Sequence, residues 1–117
     1  MNNVVNKKNI LDRLDNVMVE RLNSPSEKSY VSSCFSKGNE YISEKLLEET
    51  NEFIEAIKSK DTKQMIHEAA DLWFHSLVAL SFNQLSSKDI LDELNRRFGI
   101  SGLDEKEMRK QKRYEDA

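Results

Sequence analysis

The chain reads as an all-α protein, and three features support that reading. Apolar residues recur at helical spacing, turn formers are scarce, and no stretch alternates in the manner of a half-buried strand. Of its 117 residues 33% are charged and 38% hydrophobic, with one proline and three glycines. A sandwich or barrel needs more turn residues than that. At this length one domain over residues 1–117 is expected, built as a bundle of four main helices.

The helices follow in order. Ile10, Leu14, Val17, Met18 and Leu22 fall on one stripe, which predicts a helix over 9–23. "NSPSEKS" ends it, since Pro25 disfavours helical backbone at Ser24. "SYVSSCFSKG" gathers Tyr30, Val31, Cys34 and Phe35 within one or two turns and closes at Gly38, a natural C-cap. Long helices are predicted over 40–59 and 62–83, separated by the polar "KSKDT". "LSSKD" then supplies capping serines for a shorter helix over 88–98, ended by Gly99. A basic, solvated tail over 101–117, helical from Asp104 onward, completes the chain.

Composition excludes several function classes. A net charge of −3 gives no electrostatic footprint for a nucleic-acid partner. "MNNVVNKKNI" lacks the apolar run of a signal peptide. Leu72 to Phe82, the longest apolar window, is interrupted by His75, Ser76 and Ser81 and is too short to span a bilayer. The single cysteine, Cys34, rules out an internal disulfide framework and reads as a small core residue, not as a catalytic thiol. A cytoplasmic protein with no membrane partner is expected.

Acids stand out against this background. At about 100° per residue, Ile42, Leu46, Phe53 and Ile57 share one stripe of the 40–59 helix. Glu44, Glu48, Glu52 and Glu55 line the opposite side, with Glu49 at the border. Taken alone, "EETNE" reads as a solvated acidic face. "EAADLWFHSLVAL" does not: Glu68, Asp71, His75 and Val78 share one face, while Leu72, Trp73, Leu77 and Leu80 cover much of the rest. A helix apolar nearly all round is buried on most sides, and a carboxylate placed there without a partner costs several kcal/mol, roughly. A structural pairing of Asp71 with His75, a lysine such as Lys45 or a tyrosine stays open.

Two antiparallel helices joined by a short polar loop are neighbours. Counted outward from Asp61, Glu48 and Glu52 lie about as far back as Glu68 to His75 lie forward, so the two acid clusters sit at similar heights. Converging carboxylates need cations, and an all-oxygen site suits a hard ion, Mg²⁺ or Mn²⁺. Iron is disfavoured because Glu68 is followed at i+3 by Asp71 and not by histidine. Zinc is disfavoured because His67 and His75 stand eight apart, and "HEAAD" is no His-Glu-x-x-His helix.

The pattern E-E-x-x-E, fifteen residues, E-x-x-D resembles that of the all-α nucleotide pyrophosphohydrolases, the MazG-like superfamily. Within it the chain is similar to the phosphoribosyl-ATP pyrophosphatases of histidine biosynthesis. Four stretches carry the likeness: "LDRLDNVMVERLNSPSEKSYVSSCFSKG", "EYISEKLLEETNE", "EAADLWFHSLVAL" and "LNRRFGISGLDEKEMRK". They span about residues 10 to 113. Thr50 and Asn51 depart from the small or apolar residues usual there, and Leu47 stands for a common glycine, but no acid is lost.

The resemblance implies hydrolysis of phosphoribosyl-ATP to phosphoribosyl-AMP and pyrophosphate, dependent on Mg²⁺ with Mn²⁺ as a substitute. It implies a metal site of Glu48, Glu49, Glu52, Glu68 and Asp71, with Glu48 or Glu49 as general base. Lys45 is the first phosphate-contact candidate, followed by Lys37, Arg96 and Arg97. His75 reads as a supporting or core histidine, and Trp73 and Phe74 as core or subunit interface. The apolar 69–82 segment, too broad for one chain to cover, and the dimeric or larger relatives together imply a homodimer drawing on the 40–59 and 62–83 helices. Two rivals remain: a house-cleaning (d)NTP pyrophosphohydrolase using the same acids, and a non-enzymatic dimeric helical adaptor whose acids pair internally.

Overall fold

Local capping chemistry sets where the helices begin. The computed structural model describes residues 9–25, 27, 29–99 and 102–116, the side chains at 103–105 and 113–116 aside. Residues 1–8 of the expected domain, Ser26 and Lys28 of "NSPSEKS", and Ile100, Ser101 and Ala117 near the C-terminus lie outside the described residues. Helix α1 spans Ile10–Leu22 and opens on Asn9, whose side-chain oxygen accepts from the Asp12 N–H at 3.0 Å. Helix α2, Tyr30–Lys37, opens on Ser29, which accepts from the Ser32 N–H at 3.0 Å. Helix α3 spans Asn39–Ser59 and α4 spans Thr62–Phe82. Between them Asp61 caps α4 by accepting from the Gln64 N–H at 3.2 Å. Helices α5, Ser87–Arg97, and α6, Gly102–Asp116, follow. The secondary structure is all-helical among the described residues.

Gly38 does two jobs at the α2–α3 corner. Its N–H donates to the Cys34 carbonyl and its own carbonyl accepts from the Ile42 N–H, both at 3.0 Å, so one residue ends α2 and starts α3. Its backbone sits at φ +87° and ψ −175°, a region that only glycine occupies without strain. A Cβ there would meet nothing closer than Phe82 Cζ at 4.0 Å, so the cost of a side chain is conformational and not steric. Gly38→Ala is expected to lower unfolding free energy by about 1–3 kcal/mol, measurable by urea denaturation.

The described residues fall into two compact units, Met1–Ser87 and Lys88–Ala117. In the first, α1 to α4 close over Met18, Val31, Cys34, Phe35, Ile42, Leu77 and Val78. Phe35 stacks on Phe82 with ring centroids 5.9 Å apart. Cys34 is buried, as a small core residue should be. Helices α3 and α4 make the most extensive packing in the unit and run antiparallel. Asp15 on α1 accepts from both the N–H of buried Ser87, at 2.9 Å, and its hydroxyl, at 2.5 Å.

Helix α4 is less covered than its composition implies. Ile66 is 71% exposed and Trp73 66% exposed, so Trp73 lies outside this chain's core while Phe74 packs against it. Helices α1, α2 and α3 all pack on α4, and the side they leave open carries these two residues. In the second unit, Glu93 accepts from Arg96 at 3.0 and 2.8 Å and from Arg97 at 2.9 Å. The two guanidiniums hold its carboxyl down to about 2.

Candidate active site

The α3–α4 hairpin brings the acids together. Glu49 and Glu52 come from α3 and Glu68 from α4, with one ligating atom from each within 4.8 Å of the others. His67, Glu68 and Asp71 form a second group by the same measure, so Glu68 belongs to both. Glu49 stands seven residues, two turns, after the buried Ile42 and so lies on the covered side of α3. A cavity of about 570 Å³ opens beside Glu52 and Glu68, with Asn51, Glu55, Ser59 and Gln64 on its walls.

These acids repel one another. Burial pushes the Glu68 carboxyl above its ordinary value, Glu52 and Asp71 push the same way, and His67 opposes them. Burial likewise raises Glu49, with Glu52 and Asp71 adding to it and His75 opposing. Gln64 Nε2 donates to Glu68 Oε2 at 3.2 Å. Glu68 Oε1 and Glu49 Oε2 are buried with no hydrogen-bond partner. Hydrogen bonds within the protein normally satisfy such atoms. Two orphaned carboxylate oxygens within one acid cluster are the arrangement a divalent cation relieves, and the oxygen donor set suits a hard ion.

The expected residues divide. Glu49, Glu52 and Glu68 come together, and Asp71 joins Glu68 in the second group. Glu48 does not join either group: it is exposed and accepts from Lys45 Nζ at 3.4 Å. Two residues of the acidic motif thus point different ways because one helical position is 100° of rotation. Lys45 also stands 5.7 Å from the Tyr41 ring centroid, and Lys37 lies over the same ring at 4.4 Å. Arg96 and Arg97 line a separate basic cavity of about 420 Å³ in the second unit, with Met108, Arg109 and Lys112.

His75 has a supporting place. Its Nδ1 lies 2.8 Å from the Asp71 carbonyl oxygen and its Nε2 lies 2.9 Å from the Tyr30 hydroxyl. A carbonyl only accepts, so Nδ1 carries the proton; in the neutral ring Nε2 then accepts from Tyr30. The bond reaches the Asp71 backbone and leaves the Asp71 carboxylate to face the cluster. His67 was not among the residues expected here. Its Nε2 stands 3.3 Å from Asp71 Oδ2, and the i,i+4 spacing that brings them together was readable in "HEAAD".

Known proteins match this chain over most of its length. The family model described as phosphoribosyl-ATP pyrophosphohydrolase matches residues 11–98. A phosphoribosyl-ATP pyrophosphatase of Vesicomyosocius okutanii is 45% identical over 97 residues, 83% of this chain and 92% of the relative. That of Azoarcus sp. (strain BH72) is 46% identical over 101 residues, 86% and 94% of the two chains. The Neisseria gonorrhoeae protein of the same name is 39% identical over 100 residues, again 86% and 94%. The all-helical fold, the paired acid groups on one hairpin and these matches agree, and the chain belongs to the phosphoribosyl-ATP pyrophosphohydrolase family.

Proposed function

We propose that this chain, acting as one domain over residues 1–117, hydrolyses phosphoribosyl-ATP to phosphoribosyl-AMP and pyrophosphate in the second step of histidine biosynthesis. The observation that carries the reading is the pair of overlapping groups, Glu49 with Glu52 and Glu68, and Glu68 with His67 and Asp71, together with the orphaned carboxylate oxygens of Glu49 and Glu68. It gives a physical reason for acids that the adaptor reading leaves unneutralised. Family membership supports the substrate over a (d)NTP.

Glu49, Glu52, Glu68 and Asp71 hold the cation, Mg²⁺ with Mn²⁺ as a substitute. When bound, the cation offsets charge that develops as the α–β phosphate linkage opens. Glu49 is the better placed general base of the two, since it turns into the acid cluster while Glu48 is engaged with Lys45. Lys45, at the edge of the cluster, meets the phosphate chain by exchanging Glu48 for it. His75, held by Tyr30, fixes the backbone at Asp71. Lys37 is a secondary phosphate contact, and Arg96 and Arg97 offer a phosphate contact of their own within the second unit.

The assembly we propose is a homodimer in the cytoplasm. Leu47 and Ile54 on α3, and Ile66 and Trp73 on α4, are exposed apolar pairs, each seven residues apart and so on one side of its helix. A second copy covering them removes that surface from water. No helix among the described residues is long and apolar enough to cross a membrane.

The test is pyrophosphate release from phosphoribosyl-ATP and from a panel of (d)NTPs, with Mg²⁺ and with chelator. Release from phosphoribosyl-ATP is expected with Mg²⁺ and is expected to vanish with chelator. Release from a dNTP alone would move the chain to nucleotide clean-up with its acid site intact. Folded protein active on no substrate would end the enzymatic reading.

A further inference from the structure

We infer that the cavity between α5 and α6 is an anion site built for a diphosphate group, sharing no residue with the acids of the α3–α4 hairpin. It lies wholly within the second unit, and Glu93, Arg96, Arg97, Met108, Arg109 and Lys112 line it. Arg96 and Arg97 end α5, while Arg109 and Lys112 stand three apart on α6 and so share a face. Four cations and one acid thus meet around about 420 Å³, which leaves three net positive charges. The inference does not depend on reading the hairpin acids as a cation site.

The one acid on the wall is already committed. Glu93 accepts twice from Arg96 and once from Arg97. A guanidinium carries five N–H groups, so Glu93 takes up one of the five on Arg97. Among the described residues no acid pairs with Arg109 or Lys112. Like charges gathered in one place repel, and the chain as a whole, at a net charge of −3, has acids to spare. An incoming anion supplies the balance that the chain's own acids do not. Guanidinium forks meet phosphate oxygens two at a time, and lysine adds a point charge. One phosphate group carries about −1.5 to −2, short of the three charges that face it, and a diphosphate comes closer. A concave site admits such a compact anion and not the flat face of a lipid surface. Free pyrophosphate and the phosphate chain of a nucleotide share this chemistry.

The experiment uses the full chain in chelator, so that no divalent cation bridges an anion to the acids. Pyrophosphate, ATP and sulfate are titrated calorimetrically at low ionic strength into the wild type, Glu68→Gln and the double variant Arg109→Gln/Lys112→Gln. Both positions of the double variant are exposed, so folding is not threatened. The wild type is expected to bind pyrophosphate at least about ten-fold more tightly than sulfate. The double variant is expected to lose at least about ten-fold in pyrophosphate affinity, and Glu68→Gln to lose none. Amide hydrogen exchange is expected to slow in α5 and α6 when pyrophosphate is added. ATP binding as tightly as pyrophosphate would make a nucleotide's phosphate chain the source, and weaker ATP binding would make it free pyrophosphate. No pyrophosphate binding, sulfate binding equally well, unchanged affinity in the double variant, or protection confined to other helices overturns the inference. Pyrophosphate release from phosphoribosyl-ATP, measured with Mg²⁺ on the same wild-type protein, keeps the two readings apart. Release without anion binding sinks only this site, and anion binding without release sinks only the proposed activity.

Discussion

Glu68→Gln is expected to lower pyrophosphate release from phosphoribosyl-ATP by about 10²–10³-fold, the scale seen when one preorganised electrostatic group is removed from an active site. Glu68 is the member shared by both acid groups, so its loss empties more of the site than any other single change. The same variant is expected to be more stable than the wild type when divalent cations are absent. The folded protein holds the Glu68 proton more tightly than the unfolded chain does, because burial, Glu52 and Asp71 disfavour the charge. Stability from that protonated group is fully present below its ordinary value of 4.5 and is lost as pH rises through the raised one. At neutral pH the wild type therefore carries a destabilising charge that glutamine lacks. Thermal unfolding of both proteins at pH 4 and pH 7, with chelator and with Mg²⁺, reads this directly. The melting temperature of the variant should exceed that of the wild type at pH 7 in chelator, and the gap should narrow on acidification or with Mg²⁺. A variant that keeps full activity would remove Glu68 from the site.

Met18→Ala is expected to lower unfolding free energy by about 2–5 kcal/mol. Met18 is fully buried and is the one fully buried side chain of α1, so it is the main attachment of that helix to Val31, Cys34, Ile42 and Val78. Small domains are stable by about 5–15 kcal/mol in total, so the loss takes a large share. Met18→Leu, close in volume, should cost less than about 1.5 kcal/mol. Urea denaturation of the two variants, with activity measured well below the transition, separates a packing defect from a catalytic one. Equal losses from alanine and leucine would mean that volume is not what Met18 contributes.

The helices were legible because their signals are local. Asn9, Ser29 and Asp61 cap helices from the positions their side chains favour, and Gly38 punctuates the α2–α3 corner. The hairpin was legible too, since the two-residue connection at Lys60 and Asp61 leaves α3 and α4 no choice but to pack. The finer division within the acids was harder to read. Placing Glu49 at the border and Glu48 with Glu52 follows from a helical wheel drawn about the apolar stripe. The structure turns Glu49 inward and leaves Glu48 with Lys45. A wheel gives directions about one axis, and which of two adjacent acids meets the neighbouring helix also depends on where that helix lies. His75 shows the same limit: its bond to Asp71 goes to the carbonyl, a distinction the sequence does not carry. Trp73 shows another, since an apolar composition says that a face should be covered but not by what.

The short connection between α3 and α4 bears on which changes this protein can accumulate. Fifteen residues separate Glu52 from Glu68, and exposed ones such as Lys58 and Lys63 can vary in kind. The fifteen are not free to vary in number. One residue gained or lost inside either helical stretch turns everything beyond it by about 100° and slides it by about 1.5 Å. Glu68 would then swing off the face that Glu49 and Glu52 share, although every acid was still present in the chain. The interval is thus a part of the site in its own right. Descendants of this sequence should tolerate replacements in it far more readily than insertions or deletions.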